Sequence, residues 1–167
     1  YMENTGSGQA SLFDFNQDGL MEIVVQALDS LYVFEGLMGD VLMSFPIRSI
    51  TGFATLVTIG DIDGDGQAEM LASGGMGQDT NLSRIFCLES SGSPWAPARS
   101  IWNQEAYHVT NVNDDGTIPR YPQNPAAFFD TDSCSQYTCP QPYNNFMVQA
   151  TYRDQYGCMQ WPAIDLD

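Results

Sequence analysis

The chain has 167 residues, five Lys+Arg against 21 Asp+Glu, and a formal charge of −16. Its 43% apolar and 12% aromatic residues exceed what a disordered chain carries, and its length suits one domain or a few small repeats sharing a core. So acidic a chain repels phosphate backbones and anionic lipid, which excludes nucleic acid and membrane insertion and leaves cations as the natural partners; no apolar run approaches the ~20 residues that span a bilayer.

In chain order, short strands are predicted at residues 11–15, 23–27, 30–35 and 41–47, each rich in Val, Leu, Phe or Tyr and bounded by Gly, Asp or Asn. Between the first two lies Asp14-Phe-Asn-Gln-Asp-Gly-Leu-Met-Glu22. The series repeats as strands at 55–59, 70–73 and 84–88, with Asp61-Ile-Asp-Gly-Asp-Gly-Gln-Ala-Glu69 between its first pair; this second loop starts 47 residues after the first. A weaker third copy, Asn111-Val-Asn-Asp-Asp-Gly116, starts 50 residues later. Residues 91–97 read as a turn-rich loop, and 101–112 as a strand or a short helix. Five of the nine prolines fall in 119–142, an extended cover rather than sheet. Residues 146–152 read as a last strand and 161–166 as an exit into a following module. The division is a first repeat at 1–53, a second at 54–93, and a degenerate third unit at 94–167. Beginning at Tyr1 rather than Met, the sequence reads as a processed product or a segment of something longer.

Oxygen ligands at alternate positions followed by Gly suit a hard cation, because alternate side chains of a tight loop converge and Gly permits the closing turn. The candidate ligands are Asp14, Asn16, Asp18, the Leu20 carbonyl and Glu22 in the first loop. In the second they are Asp61, Asp63, Asp65, the Gln67 carbonyl and Glu69. Calcium fits the flexible oxygen set better than magnesium, and zinc is disfavoured because neither loop holds His or Cys. An EF-hand needs an acid at its twelfth position, where these loops have Val25 and Ala72. The competing reading is a pair of polar turns with no metal, and the matched spacing of two loops weighs against it. In the third copy position nine is Pro119, so Asn113, Asp114 and Asp115 are expected to form a hydrogen-bonded turn.

These D-x-D/N-x-D-G-x-x-E units resemble the FG-GAP (VCBS-like) repeats of integrin-type β-propellers, over about residues 10–35 and 55–89. The resemblance implies that each repeat supplies the strands of a blade, with calcium in the loop between two strands. The stretch from Trp95 through Trp102 and Tyr107 to Pro119 is similar to the end of such repeat regions in large secreted bacterial surface proteins. A closed propeller typically needs four or more blades, and three units of about 50 residues cannot close one. The expected fold is therefore all-β, with propeller-like blades of an incomplete propeller, calcium loops between strands, and a Pro-rich irregular C-terminal cover. Open blades need neighbours, so the partners expected are other copies of the chain or the remaining blades of a longer one.

Cys87, Cys134, Cys139 and Cys158 point to an oxidising compartment and allow three connectivities. Cys134 with Cys139, stapling the Pro-rich cover, is favoured modestly over the others. Cys87 aligns with Val33 and reads as a small buried hydrophobe. Asn81-Leu-Ser83 is a glycosylation sequon of a kind that chance often supplies. The chain does not read as an enzyme: His108, the single histidine, has no evident partner, and the patterned carboxylates fall in the cation spacing rather than as a glycosidase pair. Trp95, Trp102, Tyr107 and Trp161 are aromatics suited to sugar stacking, though packing under the cover is the expectation preferred. The function expected is an extracellular, calcium-stabilised structural or adhesion module with two calcium ions, secreted or at the cell surface, assembling into an array or filament. The alternatives are a carbohydrate- or protein-ligand-binding module and a scaffold fragment of a larger secreted enzyme.

Overall fold

Alternating apolar residues between Gly- and Asp-rich turns produce eight short strands and no helix among the described residues. The structure is a computed structural model that describes residues 9–49, 55–76, 83–109, 111–121 and 146–149. Strands β1 (Ala10–Phe13), β2 (Glu22–Gln26), β3 (Leu31–Phe34) and β4 (Val41–Phe45) form an antiparallel meander in that order, as in one propeller blade. The second sheet comprises β5 (Ile47–Arg48), β6 (Thr58–Gly60), β7 (Glu69–Met76) and β8 (Arg84–Leu88). Its centre is β7, which pairs with β6 through residues 69–71, with β8 through 70–74 and with β5 through 75–76. The sheets are unclosed, so the fold is all-β with propeller-like blades.

The registers repeat with the sequence period. Phe13 lies opposite Glu22 in the first blade, and Gly60, 47 residues on, lies opposite Glu69 in the second. Val33 faces Val24, and Cys87 faces Leu71 in the same way. The expected strand at 41–47 instead divides. Pro46 has no N–H to donate, so β4 ends at Phe45 and Ile47 crosses to pair with Met76 of the other sheet. Residues 101–109 and 111–112 form turns and irregular chain, neither strand nor helix. Of the expected last strand, Val148 makes a parallel bridge to Leu12, while 150–152 lie outside the described residues. Cys134, Cys139, Cys158, Asn81, Trp161 and the chain from 122 to 142 also lie outside them.

One core joins both blades. Phe13, Val24, Leu31 and Val33 from the first meet Ile59, Met70 and Ala72 from the second in a single buried cluster. Burying each of the larger side chains contributes roughly 1.5–3 kcal/mol. Polar pins cross the same interface: the Ser11 hydroxyl donates to the Val57 carbonyl, and the buried Gln26 amide donates to Ser73 O at 2.7 Å. The blades therefore stack face to face and turn their other faces outward. That stacking corrects the reading of Cys87, which is exposed. Although Cys87 matches Val33 in register, the second blade turns the opposite face to the core, so the position buried in one repeat is outward in the other.

Candidate metal centre

The first acidic loop joins β1 to β2 and the second joins β6 to β7, and the two loops share one backbone plan. Asp18 N–H donates to Asn16 Oδ1 at 2.9 Å, and Asp65 N–H to Asp63 Oδ1 at 3.1 Å. Leu20 N–H donates to Asp18 Oδ1 and Gln67 N–H to Asp65 Oδ1, both at 2.8 Å. The closing acids are held alike: Phe15 N–H donates to Glu22 Oε2 at 2.8 Å and Ile62 N–H to Glu69 Oε2 at 2.6 Å. Both loops also need left-handed backbone at two matched positions, Gln17 and Gly19 in the first and Gly64 and Gly66 in the second. Glycine takes that conformation without steric cost, so the second loop forms with less strain than the first, where Gln17 stands at φ 58°.

The loops differ in charge and in how far their ligands are gathered. The oxygens of Asp61, Asp63 and Asp65 lie within 4.8 Å of one another. Glu69 is 1% exposed, its Oε1 has no hydrogen-bond partner, and the buried Gln67 Oε1 has none either. Unpartnered oxygens beside three converging carboxylates are what a hard cation satisfies, so the donor set fits calcium. The first loop offers Asp14, Asp18 and Glu22 with Asn16 in place of a fourth acid, and Asn16 Nδ2 donates to Asp18 Oδ2 at 3.0 Å. Asp14 Oδ2 already accepts from Gly19 N–H. Burial pushes the Glu22 carboxyl up to about 7, with the charges of Asp14 and Asp18 adding to the effect. Burial likewise raises Glu69 to about 7, helped by Asp63, Asp65 and Asp61. Asp14 is raised too, chiefly by burial.

The third copy is a turn. Gly116 N–H donates to Asn113 O, Asn113 N–H to Thr117 O, and Thr117 N–H to Asp115 Oδ1 at 3.0 Å. Hydrogen bonds from Thr117 hold the exposed Asp115 carboxyl below its usual range. Asp114 is occupied by an ion pair with Arg99 at 2.7 Å.

One part of the site went unread in the sequence. Residues 95–99, from Trp95 to Arg99, run as a strap between the two acidic loops. Ala96 N–H donates to Phe15 O at 2.9 Å, while Ala96 O accepts from Ala68 N–H at 3.0 Å. Pro97 bridges Gln67, and Arg99 O accepts from Asp61 N–H at 3.2 Å. Phe15 packs edge-on against Trp95 with ring centroids 4.9 Å apart. Gly60 permits the approach, since a Cβ there would lie 2.9 Å from Arg99 O. The buried Arg99 guanidinium then anchors the third unit, donating to Tyr107 Oη, Val109 O and Val112 O. Tyr107 donates to Gln149, whose amide reaches Ile59 O on β6 at 2.8 Å. Trp102 stacks on Tyr107 at 4.6 Å, so it joins this packing rather than an open platform. The available signal was the apolar residue after the first Asp of each loop, Phe15 and Ile62, and the Pro- and Ala-rich run ending in a lone Arg.

Residues 14–72, which span both acidic loops, match the family model of the FG-GAP-like repeat. No curated protein matches the chain. Among solved structures, the crystal structure of the V. cholerae biofilm matrix protein Bap1 is similar, with a TM-score of 0.60 and 21% identity over 92% of this chain and 22% of that one. At that identity the likeness is one of fold, and the chain spans about a fifth of the length of that protein.

Proposed function

We propose that this chain, an FG-GAP-like repeat region over residues 14–72, is an extracellular structural or adhesion module whose blades are locked by two calcium ions. The second loop carries the reading: three carboxylates within 4.8 Å of one another, beside a buried Glu69 oxygen with no partner. Each such carboxylate pair repels by roughly 1 kcal/mol in water and about 4 kcal/mol at the effective dielectric near a protein surface. A divalent cation reverses the sign of that energy and ties β6 to β7 through Asp61, Asp63, Asp65, the Gln67 carbonyl and Glu69. Asp14, Asn16, Asp18, the Leu20 carbonyl and Glu22 would tie β1 to β2 in the same way. Two ions change the formal charge from −16 to −12.

Placement outside the cell, where calcium is plentiful, is supported by the fold likeness to a biofilm matrix protein. The outward blade faces, with Ile85 74% exposed, suit contact with further blades or further copies of the chain. The role is non-catalytic, since the patterned acids serve the loops and His108 packs edge-on against Phe146. Thermal melting with and without EDTA tests the reading. A clear fall in Tm on verified metal removal is expected, and an unchanged curve would overturn it.

A further inference from the structure

The strap at residues 95–99 touches both loops at the residues that frame their ligands. In the second loop it bonds the N–H of Asp61, the first ligand, and of Ala68, which lies between the last two. In the first it bonds the carbonyl of Phe15, which lies between the ligands Asp14 and Asn16 and whose N–H holds Glu22. A single residue, Ala96, spans the two contacts, its N–H on one loop and its C=O on the other. We infer that the strap makes the two loops one cooperative calcium unit, in which the second loop fills first and prepares the first for its ion. The inference rests on the calcium reading above.

The order of filling follows from the donors. The second loop has four carboxylates, three already gathered, and two glycines at its left-handed positions. The first has three carboxylates, an asparagine bonded to one of them, and Gln17 where its counterpart has glycine. Charge count and rigidity set the affinity of such sites. The coupling follows from shared ordering. An ion that fixes Asp61 and residues 67–69 also fixes the strap, and the strap fixes Phe15, so the second ion has less chain left to order. Electrostatics alone predicts the opposite sign, because the first ion weakens the negative field that attracts the second. Positive coupling is therefore diagnostic of the strap.

The backbone amides of Phe15 and Ile62 report the two loops separately, and their NMR shifts can be followed as calcium is added to the metal-free chain. In the native protein Ile62 responds first and Phe15 follows closely. In Ala96→Pro, which removes the N–H bonded to Phe15 O, the gap widens by about tenfold in free calcium. Trp95→Ala, which keeps every backbone bond of the strap, moves the gap in the same direction and serves if the proline variant does not fold. With the second loop neutralised by Asp63→Asn and Asp65→Asn, adding Ala96→Pro leaves the Phe15 curve within about twofold. A gap unchanged in the folded strap variants, or Phe15 leading Ile62, overturns the inference. So does a displacement of the Phe15 curve of about tenfold by Ala96→Pro in the neutralised background, which would show that the strap merely shapes the first loop. If neither amide responds to millimolar calcium, the calcium reading itself falls.

Discussion

Glu69→Gln is expected to change stability in opposite directions with and without calcium. In the metal-free chain the Glu69 carboxyl is 1% exposed, holds one N–H bond from Ile62, and has a second oxygen with no partner. Burial and the neighbouring Asp63, Asp65 and Asp61 push it from 4.5 to about 7. Its folded form thus prefers the proton. The penalty is absent below pH 4.5, grows as the pH rises to about 7, and is full above that. A shift of that size corresponds to about 3 kcal/mol in a dry site, and screening at the open mouth of the loop reduces it to about 1–2 kcal/mol. The substituted amide keeps an acceptor for the Ile62 N–H and gains an N–H₂ beside three carboxylates. At pH 8 in EDTA the variant should therefore be more stable than the native chain by about 1–2 kcal/mol, and the two should converge by pH 4.5. In saturating calcium the order reverses, because a charged ligand has gone. Urea unfolding at both pH values, with calcium and with EDTA, measures all of this. A variant less stable than the native chain in EDTA at pH 8, or one with an undiminished calcium response, refutes the reasoning.

Other outcomes are expected on the same grounds. Asp63→Ala with Asp65→Ala removes two of the three gathered carboxylates and should abolish the stabilisation that calcium gives the second blade, read as loss of one ion per chain by calorimetry. Arg99→Met should destabilise by about 3 kcal/mol, because it removes the donor from the part-buried Val109 carbonyl, the buried Val112 carbonyl and the Tyr107 hydroxyl oxygen, which keeps only the bond it donates to Gln149. Asp114→Ala should lose less than about 1 kcal/mol, since that partner is 71% exposed. Equal effects in urea unfolding would contradict the carbonyl-clamp role. Gly60→Val should destabilise by about 1–3 kcal/mol by driving a side chain into Arg99 O, with the Asp61 amide losing hydrogen-exchange protection.

The parts of the fold legible in the sequence are those fixed locally. A matched loop repeated after 47 residues between apolar runs determines a strand, a turn and a paired strand, and the registers at Glu22 and Glu69 repeat accordingly. Arg84–Leu88 stands where it was expected. What the sequence hid depends on how the blades stack. Nothing near Cys87 marks which face of β8 turns to the core, so its equivalence to Val33 misled. Pro46 was visible, but the crossing of Ile47 into the other sheet depends on Met76, far along the chain. The strap was hidden because its contacts are backbone to backbone, and side-chain identity at Ala96 and Ala68 says nothing of partners. Arg99 and Gln149 belong to no motif, and only folding brings both to the Tyr107 hydroxyl.

The most direct test is elemental analysis of the chain after equilibration in millimolar calcium and removal of free ion. Two calcium ions per chain, falling to one when Asp63 and Asp65 are replaced, is the result predicted. A chain that retains none contradicts the account.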